Sequence, residues 1–166
     1  MADAVDLFTQ HWNRERPEVD VSPMAVIGRV QRLSRLFEHE LKHFFGGFDM
    51  EFWEFDVLAT LRRSGSEEGL TAGALLKVAM VTSGAITNRI DRLATKGWVE
   101  RIPCPEDRRV IRVRLTPEGR RTIDELLPQH MANEQRMLAA LDSDAREQLA
   151  GLLRTLTESL GDGVPE

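Results

Sequence analysis

A mainly α-helical fold built on a winged helix-turn-helix, with long helices at both ends of the chain, is what this sequence predicts. Three observations carry the prediction. Two short helical stretches, residues 71–78 and a second ending at Lys96, are separated by a break at Met80 and Val81. Two β-branched, arginine-bearing runs follow, 98–102 and 110–115, with turn residues and charge across 103–109 between them. Long amphipathic patterns flank this centre on both sides.

The 166 residues are 42% apolar and 30% charged, which suits one domain with a real core rather than a disordered chain. Within it, 1–47 read as an extra N-terminal helix and a dimer helix, and 48–116 as the winged lobe. Residues 117–160 read as C-terminal dimerisation helices and 161–166 as a tail. No run approaches the roughly 18 apolar residues of a membrane span. The acidic N-terminus lacks the basic and long apolar regions of a signal peptide. A cytoplasmic protein without membrane contact is therefore expected. A single cysteine, Cys104, excludes an intrachain disulfide framework.

In chain order, residues 4–13 form a short helix with Val5, Leu7, Phe8 and Trp12 as its apolar positions, and 14–21, with Pro17, is a connector. Ser22 then Pro23 reads as an N-cap with proline at the first helical position. Val26, Val30, Leu33, Phe37, Leu41 and Phe44 recur at helical spacing, giving a long amphipathic helix to Phe45 that Gly46 and Gly47 stop. This helix contains His39-Glu40-Leu41-Lys42-His43, which matches the H-E-x-x-H zinc-hydrolase pattern. Catalysis would need a cleft, a third ligand and an open coordination position. Both histidines lie about 160–200° from Leu41 around the helix, opposite the apolar stripe, where an incidental zinc site is more plausible than a hydrolase.

Residues 51–63 form the next helix, with Trp53, Val57 and Leu61 as its core stripe. Asp56 and Arg63, seven apart, fall within about 20° of each other and read, from spacing alone, as two solvated charges. A polar loop, 64–69, leads into the central unit. Thr71 caps its first helix, Thr82 or Ser83 caps the second, and Gly97 ends it. In the second helix Ile86, Ile90 and Leu93 make the buried stripe. Gly84, Asn88, Asp91, Arg92 and Thr95 face away, a small polar surface with one long cation that can enter a major groove and meet base edges. Arg89 lies at the flank near the buried stripe and suits base contact less well than Arg92.

Between residues 82 and 121 ten Lys/Arg stand against five Asp/Glu, a net +5 in a chain of net −5, so the remainder carries −10. One cationic lobe on an acidic protein fits a site-specific binder of double-stranded DNA. The expected DNA contacts are Ser83, Thr87, Asn88, Arg92 and Lys96 on the second helix. Arg101, Arg108 and Arg109 in the wing seek phosphate. The alternative is a winged helix used for protein contacts, its arginines solvated.

Thr116-Pro117 caps a helix that runs on to Leu141, with Pro128 expected to kink or interrupt it. Asp142 or Ser143 caps the last helix, whose Leu149, Leu152, Leu153, Leu156 and Leu160 form a wide leucine face ended by Gly161 and Gly163. Such a face can complete a monomer core. Long helices at both chain ends fit better with interdigitation in a homodimer.

The stretches T-S-G-A-I-T-N-R-I-D-R-L-x-x-K-G-W-V-E-R and P-E-D-R-R-x-x-x-V-x-L-T-P-E-G-R resemble the MarR family of bacterial regulators. The resemblance implies a helical dimer with winged lobes that represses transcription and responds to a small ligand. Within the family the chain looks most like the urate-responsive group of HucR- and PecS-like regulators. That likeness lies in an N-terminal helix bearing a tryptophan, in F-D-V-L-A-T-L-R-R before the central unit, and in T-N-R-I-D-R-L within it. It implies that Trp12, Asp56, Arg63 and Arg89 surround an anion between dimer core and DNA lobe. The anion would pair with an arginine and repel Asp56. TamR-like regulators share much of this pattern and answer to tricarboxylates, so urate or another purine and a di- or tricarboxylate are both open. An Asp56–arginine pair that only braces the fold is the other alternative.

No G-x-S-x-G, P-loop or CxxC motif occurs, so neither an enzyme nor a cofactor is expected. Cys104, in the wing near arginines that could lower its pKa, offers a redox-responsive regulator as an alternative. Without a resolving cysteine it reads instead as an exposed, incidental thiol. A nucleoid-type architectural protein would need more positive charge than this chain holds.

Overall fold

The computed structural model describes residues 2–78, 86–104, 107 and 109–162. Its elements in order are α1 (Ala4–Glu15), α2 (Met24–Gly46), α3 (Phe52–Arg63), β1 (Leu70–Thr71), α4 (Ala72–Val78), α5 (Ile86–Thr95), β2 (Val99–Pro103), β3 (Ile111–Leu115), α6 (Pro117–Met137) and α7 (Ser143–Ser159). This is the mainly helical winged fold that the sequence predicts.

Helix α1 starts on a capping box: the Asp3 carboxylate accepts from the Val5 and Asp6 N–H groups, and Asp6 accepts from the Asp3 N–H. It lies along α2, where Val5 is buried. Arg29 of α2 reaches back to Asp3 at 2.9 Å and Asp6 at 2.6 Å. Ser22 does not cap α2. Its N–H and hydroxyl both bond the Asp20 carboxylate, at 2.9 and 3.1 Å, because a charged acceptor two residues back outcompetes the helix end.

Helix α3 is the centre of the lobe. It packs on α6, α4, β3 and α2, so Glu54, Phe55, Asp56, Val57, Leu58, Thr60 and Leu61 are all buried. The single stripe expected from Trp53, Val57 and Leu61 is thus too narrow, and Asp56, 4% exposed, is not a solvated charge. Phe45, Leu75, Leu93, Val113 and Ile123 fill the space around α3, in one core with its Leu58. Phe44, Phe45, Phe52 and Phe55 surround the buried His130 ring.

Strands β2 and β3 pair antiparallel with Val99 opposite Leu115 and Arg101 opposite Val113, forming the expected wing. A further strand, β1, pairs Leu70 with Val113 on the other edge of β3, giving the order β1-β3-β2. Thr116 joins the wing to α6. Its hydroxyl accepts from Gly119 N–H at 3.0 Å and donates to the Gly97 carbonyl at 2.7 Å, while its own N–H meets the Trp98 carbonyl at 3.0 Å. Gly119 lies so close behind that a Cβ there would stand 1.9 Å from the Trp98 carbonyl oxygen. Only glycine fits.

Pro128 does not interrupt α6, which is continuous to Met137. The helix stops short of Leu141, and Arg146 bonds the Leu138 and Leu141 carbonyls in the turn that follows, at 3.0 Å each. Asp142 caps α7 through the Ala145 N–H at 2.9 Å. Between α2 and α7 runs an apolar groove of about 820 Å³ lined by Val26, Val30, Leu33, Phe37, Leu149 and Leu153, among others. Many of these side chains, with Ile27, Leu36, Leu152, Leu156 and Leu160, are exposed. Among the described residues no helix is long and apolar enough to cross a membrane.

Candidate nucleic-acid interface

Helix α5 buries Ile86, Ile90 and Leu93 and leaves Thr87, Asn88, Asp91 and Thr95 exposed. Its expected N-terminal capping residues, Thr82 and Ser83, with Gly84, lie outside the described residues. Arg101 on β2 reaches across to this helix, pairing with Asp91 and donating to the Thr87 carbonyl at 3.3 Å. Wing and helix thereby share one continuous surface. At the wing turn Arg109 is exposed, its backbone N–H on the Asp107 carboxylate at 2.9 Å. Arg108 lies outside the described residues. The strand arginines are less available: Arg114 pairs with Glu100 at 2.7 Å and Arg112 with Glu68 at 3.3 Å.

Arg92 and Lys96 turn toward α3 rather than straight outward. The Arg92 guanidinium lies 4.8 Å from the centre of the Trp53 ring, with Nη2 3.9 Å from both Glu51 and Glu54. Lys96 Nζ donates to Glu54 Oε2 and to the Asp49 carbonyl, each at 2.9 Å, and stands 4.7 Å from the Trp98 ring centre. Arg92 leaves α5 at its flank and Lys96 follows the last residue of the helix on the same side, where an aromatic face and a carboxylate offer a cation more than water does. Sequence reading missed Trp53 and Glu54 as partners of α5. The available signal, Glu51 and Glu54 at E-x-x-E spacing, reads as a local helix start, and Glu54 does accept the Glu51 N–H at 2.9 Å.

Of the residues tied to an anion, Arg89 lies over the other part of this hub, 5.2 Å from the Trp53 ring centre, with Nη1 buried and without a hydrogen-bond partner. Asp56 is buried in the middle of α3, Arg63 is exposed at its end, and Trp12 on α1 is 47% exposed. A cavity of about 660 Å³ where α2 meets α3 and α5 is lined by Trp53, Glu54, Arg92 and Lys96; Trp12, Asp56, Arg63 and Arg89 are not among its walls.

His39 and His43 are exposed on α2, and Glu40 pairs with Arg136 of α6 at 3.2 Å rather than standing between the two imidazoles as a general base. Among the described residues no three His, Cys, Asp or Glu are grouped to hold a metal ion. Cys104 corrects an expectation. It is 6% exposed, not a surface thiol: its N–H bonds the Val110 carbonyl at 2.8 Å, one rung past Pro103 opposite Ile111, and alternation along the ribbon puts its side chain on the face away from the exposed Arg101 and Pro103.

A polar helix set beside an arginine-bearing ribbon on a cationic lobe defines a winged-helix nucleic-acid-binding protein. The MarR family profile matches residues 53–111. The HTH-type transcriptional regulator PecS of Dickeya dadantii is 35% identical over 153 residues, 92% of either chain. The multiple antibiotic resistance protein MarR of Escherichia coli is 39% identical over 94 residues, 56% of this chain and 63% of its own length. The crystal structure of a mutant E. coli MarR complexed with operator DNA superposes with a TM-score of 0.69 at 28% identity, covering 87% of this chain and 96% of that one. The chain belongs to the MarR family of DNA-binding transcriptional regulators. Its relatives are regulators, not enzymes.

Proposed function

We propose that this protein is a ligand-responsive repressor that binds a pseudo-palindromic operator as a homodimer in the cytoplasm. The observation that carries the reading is the surface shared by α5 and the wing, where Arg101 ties the exposed Asp91 and Thr87 to β2. In this reading Ser83, Thr87 and Asn88 meet base edges in the major groove, the half-exposed Arg92 meets them from its seat over Trp53 at the flank of α5, and Arg101, Arg108 and Arg109 meet phosphate. Lys96 joins the interface from behind, through α3. The operator complex of the E. coli relative supports the same use of the lobe. The exposed apolar faces of α2 and α7 support dimerisation, since a second copy would cover surface that one chain leaves in water.

The effector we assign is a small anion, urate or a related purine before a di- or tricarboxylate, acting through Trp12, Asp56, Arg63 and Arg89. The unpartnered, buried Nη1 of Arg89 supports an anion there. Drawing Arg89 toward an anion would disturb its contact with Trp53, and the DNA lobe would shift from the spacing of two half-sites about one helical turn apart.

The test is selection of duplexes from a random pool, followed by mobility shifts with urate, citrate or neither. Sequence-selective binding by a dimer, weakened by one of these anions, is expected. Binding that is equal on all duplexes would overturn the operator reading. Selective binding unmoved by either anion would overturn the effector.

A further inference from the structure

Three long cations, Arg89 and Arg92 of α5 and Lys96 directly after it, all end on two adjacent residues of α3. Arg89 and Arg92 lie over the Trp53 ring, and Lys96 and Arg92 face the Glu54 carboxylate. Glu54 is 0% exposed, although it is a charged side chain on the face of α3 toward α5. A carboxylate in such a place is costly unless cations and donors meet it. Lys96 at 2.9 Å and the Glu51 N–H at 2.9 Å satisfy Oε2. Oε1 has no hydrogen bond, and Arg92 at 3.9 Å answers it by charge alone.

The arrangement constrains one degree of freedom in particular. Positions 89, 92 and 96 fall within about 60° of each other around α5, and the exposed Thr87, Asn88, Asp91 and Thr95 occupy the adjoining sector. The apolar stripe of Ile86, Ile90 and Leu93 holds α5 against the core, but apolar contacts are non-directional and tolerate a small rotation or slide. A buried carboxylate with one lysine and one arginine does not. Turning α5 about its axis would leave Glu54 uncompensated.

We infer that Glu54 is a positioning residue for DNA reading: through Lys96 and Arg92 it fixes the rotation at which the outer face of α5 meets the groove. The inference rests on α5 being the DNA-reading helix. Loss of the Glu54 charge would leave phosphate attraction in place and blunt base discrimination, because base-edge hydrogen bonds depend on orientation while phosphate contacts depend mainly on charge.

The experiment measures the affinity of full-length wild type and Glu54→Gln for a duplex selected by the wild type and for a mixed-sequence duplex, at several salt concentrations, with thermal melts of both proteins. The expected result is a selected-to-mixed affinity ratio lowered on the order of tenfold, with mixed-sequence affinity kept or raised. The salt slope should steepen by up to about one unit as a released cation finds a phosphate. A lower melting temperature with both affinities reduced in parallel, or an unchanged ratio, would overturn it. Should Glu54→Gln fail to fold, Lys96→Gln removes the same contact from its solvent side. There a reduced ratio with an unchanged slope supports positioning, whereas a slope smaller by about one with an unchanged ratio makes Lys96 a plain phosphate contact and overturns the inference. A wild type that selects no duplex would instead remove the DNA-reading assignment itself.

Discussion

Gly119→Ala is the sharpest probe of how the wing is fixed to the body of the protein. The added methyl group would sit 1.9 Å from the Trp98 carbonyl oxygen and 2.8 Å from its carbon, both backbone atoms that cannot swing aside like a flexible side chain. Overpacking of this kind costs about 3 kcal/mol, toward the upper end of the usual range. Alanine returns at most about 1 kcal/mol through helix propensity at a position in the first turn of α6. A net loss of about 2 kcal/mol follows, which for a chain of this size lowers the melting temperature by about 4–8 °C. The assay is thermal unfolding at fixed protein concentration, since the proposed dimerisation would link stability to concentration. DNA affinity should fall with it, because relieving the clash moves the junction of α5, β2 and α6. A melting temperature that is unchanged or higher would mean that only propensity acts, and the close approach of α6 to Trp98 would be refuted.

Three further outcomes are expected. Leu153→Glu, placing a charge on the apolar groove between α2 and α7, should weaken dimerisation on the order of 100-fold; light scattering would show monomer at concentrations where the wild type is dimeric, and an unaffected dimer would move the interface elsewhere. Arg89→Ala should weaken anion binding in calorimetric titration about tenfold or more while keeping appreciable DNA affinity; the reverse pattern would place Arg89 among the DNA readers instead. Burial holds the His130 imidazole below its ordinary pKa, against the opposing pull of Glu134, so the unfolded chain takes up this proton more readily than the folded one. Its contribution to stability is therefore complete above the unfolded pKa of about 6.5 and is lost as pH falls below it. Melting curves between about pH 7.5 and 5.5 should show this slope in the wild type and a flatter one in His130→Phe, and equal slopes would remove His130 as its source.

What could be read from the chain was whatever has a local cause. Thr116-Pro117 states a helix start because the hydroxyl and the missing N–H act within one turn, and Ile86, Ile90 and Leu93 state a buried face because helical spacing alone aligns them. The parts that were missed have distant causes. Leu70–Thr71 is a strand only because Val113 and Arg112 lie beside it, and two residues carry no period. Asp56 is buried because four elements enclose α3, so an amphipathic reading of one stripe cannot apply to it. Glu54 meets Lys96 from 42 positions away, and nothing in either neighbourhood announces the pair. Cys104 is inside because the pairing of β2 with β3 continues one rung further, to Val110, and which face of that ribbon is covered is decided by the rest of the fold.

The attachment of α1 makes salt a variable in its own right. Val5 is its one buried residue, and the remaining ties to its own chain include Arg29 on the carboxylates of Asp3 and Asp6, at the surface where added electrolyte weakens them. Trp12 sits on the same helix, two turns beyond that clasp. Any task Trp12 performs is thereby coupled to the ionic milieu through a route that does not touch nucleic acid. A titration with sodium chloride on the protein alone would change the environment of this indole before the lobe around α3 loosens. The same rise in ionic strength that strips a regulator from phosphate would then reach α1 as well, and the two responses would have to be separated before either is read as an effector signal.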